Sequence, residues 1–219
     1  MKIAVITDIH ANYNNLIKVL DAIENVGVDQ IYCLGDIVGY GAQPEKVIEE
    51  IRKRNIHAVY GNHDRALFDE MTWFIMNDIA QESLNINHDL LSDDALNYLE
   101  NLPPFLVNDN MRFLHGAPPD SHLIYLSHLF NDDIRNALLK IPEKLVFCGH
   151  THSSALYVYD WKRVRRKDNI EYNLPYKIEN RKRYIVNVGS VSEYRGKGGH
   201  ISQYVIYDKE YQTITFKFC

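Results

Sequence analysis

Five short motifs in this sequence bring together carboxylate, imidazole and amide side chains, the groups that bind catalytic metal ions. In chain order they are Asp8-Ile9-His10, Gly35-Asp36, Gly61-Asn62-His63-Asp64, His115-Gly116 and Gly149-His150-Thr151-His152. Nitrogen and oxygen donors without a thiolate favour manganese, iron, nickel or zinc over a calcium or magnesium ion held by oxygen alone. The chemistry that such a set can support is hydrolysis at a pair of metal ions.

The charge of this set fits that chemistry. Two divalent ions held by two carboxylates and neutral imidazoles keep a charge of about +2, which lowers the pKa of a bound water toward neutrality. The same charge would stabilise negative charge that grows on a substrate during nucleophilic attack.

Each motif directly follows an apolar run that is typical of a β-strand. The runs cover residues 3–6, 31–34, 58–60, 112–114 and 145–148. In open α/β sheets, side chains just past the carboxyl ends of the strands line a common crevice, so we expect the motifs to converge. Asp8/His10 and His150/His152 are i, i+2 pairs, which in an extended backbone would point both side chains to one face.

The first half of the chain alternates between strand and helix patterns. Strand-like runs at 2–7, 30–34 and 57–60 are separated by apolar residues at helical spacing over 16–23 and 47–51, which predicts a βαβαβ start. Residues 72–101 predict two helices that separate near 87–89, with Ser92 as a cap for the second.

The second half predicts a hairpin, a helix and then mostly strands. The hairpin turns at 108–110, the helix covers 132–139, and 145–148 is a buried strand. The β-rich segments after residue 155 predict a second sheet packed on the first. We therefore expect one α/β domain over 1–219, with a helical cap-like insertion at about 72–101.

The composition is that of a soluble globular protein. The chain has 219 residues, 46% hydrophobic and 24% charged, with a formal charge of −5, which does not suggest general nucleic-acid binding. No stretch approaches the roughly 20 apolar residues of a membrane span, and the N-terminal apolar run is too short for a signal peptide, so we expect a cytoplasmic protein. Residues 160–183 are rich in Lys and Arg; they form either a solvated hairpin or a rim that attracts a polyanion.

The five motifs resemble those of the calcineurin-like metallophosphoesterases, and the likeness spans most of the chain. It implies a four-layer α/β/β/α sandwich of two mixed sheets flanked by helices. It also implies two divalent metal ions, manganese or iron first, with nickel or zinc as alternatives. By position, the ligands are Asp8, His10 and His152 for one metal, Asn62, His115 and His150 for the other, and Asp36 as the bridge.

The resemblance also implies the catalytic roles. A hydroxide that bridges the metals attacks phosphorus, and His63 protonates the departing oxygen as a general acid. Asp64 is expected to orient the His63 ring and to favour its charged form. Arg195 binds substrate phosphate or forms a salt bridge, and Asn12 supports the site and the substrate or merely caps the following helix.

Residues 35–41, Gly-Asp-Ile-Val-Gly-Tyr-Gly, resemble most closely the small YfcE-like phosphodiesterases, a group associated with dinucleoside polyphosphate cleavage. We therefore expect a small, nucleotide-like phosphorylated substrate, hydrolysis of a phosphodiester or phosphoanhydride bond, and no membrane or stable nucleic-acid partner. The helical insertion is expected to form a cap or a homodimer surface. Two alternatives stay open: a phosphomonoesterase, and a protein-binding scaffold like the related retromer subunit, although that subunit lacks the His that stands here at position 63.

Overall fold

Strand β1 (Lys2–Ile6) is at the centre of a six-stranded mixed sheet. It pairs in parallel with β2 (Gln30–Cys33), which pairs in parallel with β3 (His57–Ala58). Helices α1 (Tyr13–Val26) and α2 (Pro44–Lys53) connect these strands, which confirms the βαβαβ start. The structure is a computed structural model that describes residues 1–192 and 201–219.

The other half of this first sheet comes from the C-terminal part of the chain. Strand β11 (Gln203–Asp208) pairs antiparallel with β1, then with β12 (Thr213–Phe218), which pairs with β9 (Pro175–Lys177). The expectation that the strands after residue 155 form a separate second sheet is therefore wrong. One edge of β1 lacks a partner in the βαβαβ unit, and β11 satisfies its backbone groups.

The second sheet is also six-stranded and mixed. Its strands are ordered β4 (Phe105–Asn108), β5 (Met111–Leu114), β6 (Leu145–Cys148), β10 (Arg183–Asn187), β7 (Ala155–Tyr159) and β8 (Val164–Lys167). Strands β5, β6 and β10 are parallel, and β4 and β5 form the predicted hairpin.

Three hydrophobic clusters define four layers. The first joins α1 and α2 to one face of β1, the second fills the space between the two sheets, and the third joins the second sheet to α7 (Asn131–Leu139). Ala4 and Ile6 face the helices while Ile3 and Val5 face the other sheet, as the alternation of a strand buried on both faces requires. The predicted α/β/β/α sandwich is confirmed.

Four helices occupy the segment between β3 and β4. They are α3 (Asn62–Ala66), α4 (Glu70–Phe74), α5 (Asp78–Asp89) and α6 (Asp93–Glu100). Ser92 caps α6 as predicted, accepting a hydrogen bond from Ala95 N at 3.2 Å. The predicted break near 87–89 lies slightly later, because Asn87 stays in α5 and directs its buried amide to another segment.

Many of the Lys and Arg side chains in residues 160–183 form local ion pairs. Four pairs join residues of this segment: Arg165–Asp160, Arg166–Asp168, Lys167–Glu171 and Lys182–Glu179. The exposed strand β8 therefore presents paired charges at the edge of the second sheet, which favours the solvated reading. Within residues 1–192 and 201–219, no helix is both long and apolar enough to cross a bilayer.

Candidate metal centre

The five motifs converge at the carboxyl ends of strands from both sheets. Asp8 and Asp36 follow β1 and β2 in the first sheet, whereas His115 and His150 follow β5 and β6 in the second. All of these side chains are buried, with at most 4% exposure. The predicted convergence is confirmed.

The ligand atoms form two clusters in which all the potential metal-binding atoms lie within 4.8 Å of one another. One cluster contains Asp8, His10, Asp36 and His152. The other contains Asp36, His115 and His150, and Asn62 joins it because its Oδ1 lies 3.1 Å from His115 Nε2.

Asp36 is common to both clusters through a single oxygen. Its Oδ2 lies 3.6 Å from His10 Nε2 and 3.3 Å from His115 Nε2. Its Oδ1 instead accepts a hydrogen bond from the backbone N–H of His63 at 2.9 Å. Only Oδ2 therefore faces both clusters.

Three of the imidazoles are oriented by backbone carbonyls. His10 Nδ1 lies 3.1 Å from Val38 O, His115 Nδ1 lies 2.8 Å from Leu34 O, and His150 Nε2 lies 3.2 Å from Leu123 O. A carbonyl oxygen can only accept, so each of these ring nitrogens carries the proton. The opposite nitrogen of each ring then presents a lone pair to the clusters, as in most metal-binding histidines.

These lone pairs meet at distances that require a cation between them. His115 Nε2 is 3.1 Å from His150 Nδ1, and His10 Nε2 is 3.1 Å from His152 Nε2. Asp8 Oδ1, which is buried beside them, has no hydrogen-bond partner. Such groups repel one another unless a proton or a metal ion binds, so the donor set fits a pair of divalent ions.

The pKa shifts of two of these histidines also indicate that the clusters attract positive charge. Burial by itself would lower the pKa of His115, but the charge and hydrogen bond of Asp36, together with Asp8 and the Leu34 carbonyl, outweigh burial and raise it to about 9. Burial and, next, the nearby His115 lower the pKa of His150 to about 3. Without metal, one imidazole thus holds a proton that a metal ion would have to displace.

The calcineurin-like phosphoesterase superfamily domain matches residues 1–211. The chain belongs to this superfamily. An uncharacterized protein of Methanocaldococcus jannaschii, MJ0912, is 31% identical over 214 residues, covering 95% of this chain and 83% of that protein. The crystal structure of a metallophosphoesterase from Sphaerobacter thermophilus is 30% identical with a TM-score of 0.82, covering 100% of this chain and 87% of that one.

A second solved structure has a similar fold. Hypothetical protein PH1004 of Pyrococcus horikoshii OT3 is 19% identical with a TM-score of 0.72, covering 98% of this chain and 86% of that one. Superfamily membership and the Asp/His clusters together indicate divalent metal binding in this phosphoesterase.

The backbone of the phosphoesterase motifs is not extended at the ligands. Asp8, His10, Asp36, His150 and His152 all have φ between 49° and 66°. The predicted mechanism for placing the i, i+2 pairs is therefore wrong, although the pairs do converge. Left-handed backbone at non-glycine residues is strained, and surrounding contacts must hold it at a functional site.

Several of those contacts surround Asp8. Its Oδ2 accepts hydrogen bonds from Thr7 Oγ1 at 2.7 Å and His150 N at 3.0 Å, which leaves Oδ1 for metal. Its carbonyl accepts from Ser190 Oγ at 3.1 Å and Ser192 N at 3.0 Å. The segment after β10 thus fixes the backbone of the first motif by hydrogen bonds to the Asp8 carbonyl.

His63 and Asp64 do not interact as predicted. The Asp64 carboxylate accepts from the backbone N–H groups of Ile37, Val38 and Gly61 at 2.8–3.1 Å. Burial and the nearby Asp36 raise the pKa of Asp64 to about 7. Asp64 therefore orders the loop after β2 rather than the His63 ring, because three amides already occupy its oxygens.

The His63 ring is instead restrained by close packing against its neighbours. Its Nδ1 is buried without a hydrogen-bond partner, and a Cβ atom added to Gly39 would lie 2.3 Å from it. The ring centroid lies 4.7 Å from the His10 ring. Burial lowers the pKa of His63, so its imidazolium form would be a stronger acid than a solvent-exposed one.

The two remaining candidates have different outcomes. Asn12 is the N-cap of α1, and its side chain accepts from Asn15 N at 3.1 Å, in agreement with the capping alternative. Arg195 lies outside the described residues.

Sequence reasoning missed the residues that shape the site without binding metal. Tyr40 approaches the His10 and His63 rings at 4.9 and 4.7 Å, and Tyr125 stacks on His150 at 3.7 Å. Tyr40 lies in the loop directly after Gly35-Asp36, and that proximity was its only signal in the sequence, whereas Tyr125 lies nine residues after Gly116 and had no such signal. Asn87 gave no signal, because its partners lie more than 40 positions away.

Proposed function

We propose that this phosphoesterase hydrolyses phosphodiester or phosphoanhydride bonds at a pair of divalent metal ions, with His63 as the general acid. The observation that carries the proposal is Asp36 Oδ2, which faces ligand atoms of both clusters. Such a shared carboxylate suits two neighbouring ions of the kind used in two-metal hydrolysis.

The ligand roles follow from the two clusters. Asp8, His10 and His152 would hold one ion, Asn62, His115 and His150 the other, and Asp36 would bridge them. Metal ions held there would acidify a water nucleophile and neutralise the phosphate oxygens. Manganese and iron are proposed first, with nickel and zinc as alternatives, since imidazole, carboxylate and amide donors suit all four.

His63 would deliver its proton from Nε2, because Nδ1 is sealed against Gly39. Burial lowers the pKa of the ring and makes the imidazolium ready to release that proton to a leaving alkoxide.

A small nucleotide-like substrate is proposed, with dinucleoside polyphosphates among the candidates. A net positive metal cluster attracts any phosphate, and its residual charge of about +2 suits a singly charged diester without excluding a monoester.

The activity test uses protein reconstituted separately with manganese, iron, nickel and zinc, with chelator as the control. Bis(p-nitrophenyl) phosphate should be hydrolysed with at least one metal and not with chelator. Absence of turnover at full metal occupancy would contradict the proposal and favour a scaffold role.

The acid role is tested by His63→Ala on two diesters. The loss should be about 10²- to 10⁴-fold for an ester with an alkyl alcohol leaving group, because the alkoxide needs a proton, and much smaller for a nitrophenyl ester. His88→Ala, a change at an exposed histidine of α5, is the matched control and should retain activity on both. Equal losses on both esters for His63→Ala would contradict the acid role.

A further inference from the structure

A pocket of about 120 Å³ opens beside the candidate metal centre. Its lining includes Asn62, His63 and His150, two candidate ligands and the candidate acid. A group bound there would therefore be attached to the phosphate at the bond that His63 protonates.

The rest of the lining comes from loops and from the helical segment, and it is largely aromatic and apolar. Tyr40 is 43% exposed with its ring 4.7 Å from that of His63, and Tyr125 stacks on His150. Ile75, 61% exposed, and Met76, whose sulfur is 3.4 Å from Asn62 Nδ2, come from the connection between α4 and α5. Aromatic faces and a thioether offer favourable contacts to a planar ring.

The volume of the pocket suits one ring system. A protein cavity of roughly 150 Å³ accommodates benzene, so a partly open pocket of similar size can hold a single aromatic group but not a peptide or a duplex. Its location beside the reacting centre fits a substituent of the substrate rather than a separate ligand.

The charge of the pocket narrows the choice further. Among the lining residues that the structure describes, there is no Lys or Arg. A leaving group with further phosphates would place several negative charges there without a counter-charge from those described lining residues. An uncharged leaving group avoids that cost.

Building on the proposed function, we propose that this pocket binds the leaving group of the substrate, and that the leaving group is an uncharged alcohol bearing an aromatic ring, as a nucleoside does. The preferred substrate is then a phosphodiester rather than a dinucleoside polyphosphate. Tyr40, Ile75 and Met76 become specificity-determining residues of the site.

The reaction conserves atoms and charge. Water adds through oxygen to phosphorus and releases one proton to solvent, and the bond from phosphorus to the alcohol oxygen breaks. His63 gives its proton to that oxygen and takes up a proton from solvent before the next turnover. The products are a phosphate monoester and a neutral alcohol that keeps its ring in the pocket until release.

The substrate test uses the metal-loaded full chain and two methyl diesters with leaving alcohols of similar acidity. One is the methyl ester of adenosine 5′-phosphate and the other is methyl 2-methoxyethyl phosphate. The adenosine ester should have the higher kcat/KM by about tenfold or more, since only its base fills the pocket. The products should be adenosine and methyl phosphate; release of methanol and the nucleotide would overturn the assignment of the pocket to the leaving group.

Two variants locate the preference. Ile75→Ala should reduce the ratio of kcat/KM values several-fold, whereas Ile79→Ala should leave it unchanged. Ile79 is a suitable control because it is 72% exposed on the adjacent helix and does not line the pocket. Equal ratios in wild type and Ile75→Ala would overturn the proposal.

A binding measurement keeps this inference separate from the proposed function. Methyl-labelled methionine is observed by NMR in metal-free protein titrated with adenosine, and with ribose as the control. The Met76 signal should shift with adenosine, and the Met71 signal, from a 75% exposed residue outside the pocket, should not. An unchanged Met76 signal would overturn the pocket assignment even in an active enzyme, whereas a Met76 shift in an inactive enzyme would contradict only the proposed function.

Discussion

The side-chain amide of Asn87, in helix α5, holds the backbone of Gly39 in the loop after β2. Gly39 N–H donates to Asn87 Oδ1 at 2.8 Å, and Asn87 Nδ2 donates to Gly41 O at 2.9 Å. Val38, in the same loop, accepts from His10 Nδ1. The helical segment is therefore bonded to the loop that orients a candidate metal ligand.

Asn87→Ala should destabilise the protein by about 2–3 kcal/mol, because it leaves a buried donor and acceptor unpaired. It should also weaken metal binding, since the loop that orients His10 loses its anchor. Denaturant unfolding and metal titration measure the two effects. Asn85→Ala, at an exposed position of the same helix, should change neither, and an Asn87→Ala protein that resembled it would contradict the anchoring role.

Gly39→Ala should impair hydrolysis of alkyl esters more than that of nitrophenyl esters. Gly39 has a φ of 92°, and its added Cβ would lie 2.3 Å from His63 Nδ1, so the acid must move. Gly27→Ala is the matched control: Gly27 has a φ of 69° but nothing within 4 Å of the added Cβ. It should lose about 1 kcal/mol of stability from backbone strain while keeping full activity. Similar rates of alkyl-ester hydrolysis for the two variants would show that the contact between Gly39 and His63 does not affect catalysis.

Asp36→Ala should abolish binding at both metal positions, whereas His10→Ala should affect mainly one. The reason is that Asp36 Oδ2 faces both clusters and His10 belongs to one. After metal loading and dialysis, elemental analysis should find about two equivalents in wild type, about one in His10→Ala and almost none in Asp36→Ala. Asp120→Asn, at an exposed position, should match wild type. Retention of one tightly bound ion by Asp36→Ala would contradict the bridging role.

Glu143→Gln should remove part of the acid sensitivity of folding. Glu143 forms a bidentate, buried ion pair with Arg112 at 3.0 and 3.3 Å. Burial pushes the pKa of Glu143 upward, but Arg112, together with a backbone hydrogen bond and the nearby Arg183, holds the pKa below its ordinary value of 4.5. The pair thus adds stability above that value and loses it as the pH falls through the lowered pKa.

The measurement is the free energy of unfolding of wild type and Glu143→Gln over a pH series. The variant should be less stable at neutral pH by about 2 kcal/mol, and the difference should shrink in acid. Glu171→Gln, in an exposed pair with Lys167, should have little effect at any pH. A constant difference across the series would mean that the charge of Glu143 does not matter.

The candidate metal centre was accessible to sequence analysis because its ligands are marked locally. Each motif stands directly after an apolar strand, and strand ends in an α/β sheet meet at one edge. That rule placed Asp8 and His150 together although they are 142 positions apart, and His150 N does donate to Asp8 Oδ2. Helix caps could also be predicted, because a capping residue and its partner are close in sequence, as Ser92 and Ala95 are.

The pairing of Asp64 could not be obtained in the same way. Adjacency to His63 suggested a carboxylate–imidazole pair, but the turn into α3 directs the carboxylate to the amides of Ile37 and Val38. Three backbone donors offer a buried carboxylate more stabilisation than one ring nitrogen can. The division of the C-terminal strands between two sheets likewise depended on which strand edges lacked partners.

The sequence by itself determined the donor types, their order and the strands that carry them, because residue identity and strand periodicity are local properties. Only the tertiary structure decided which ring nitrogen each histidine presents. The carbonyl that orients His115 belongs to Leu34, which is 81 positions away and directly follows a strand of the other sheet. The same is true of the pocket beside His63, whose lining comes from loops and helices that meet only after the two sheets pack together.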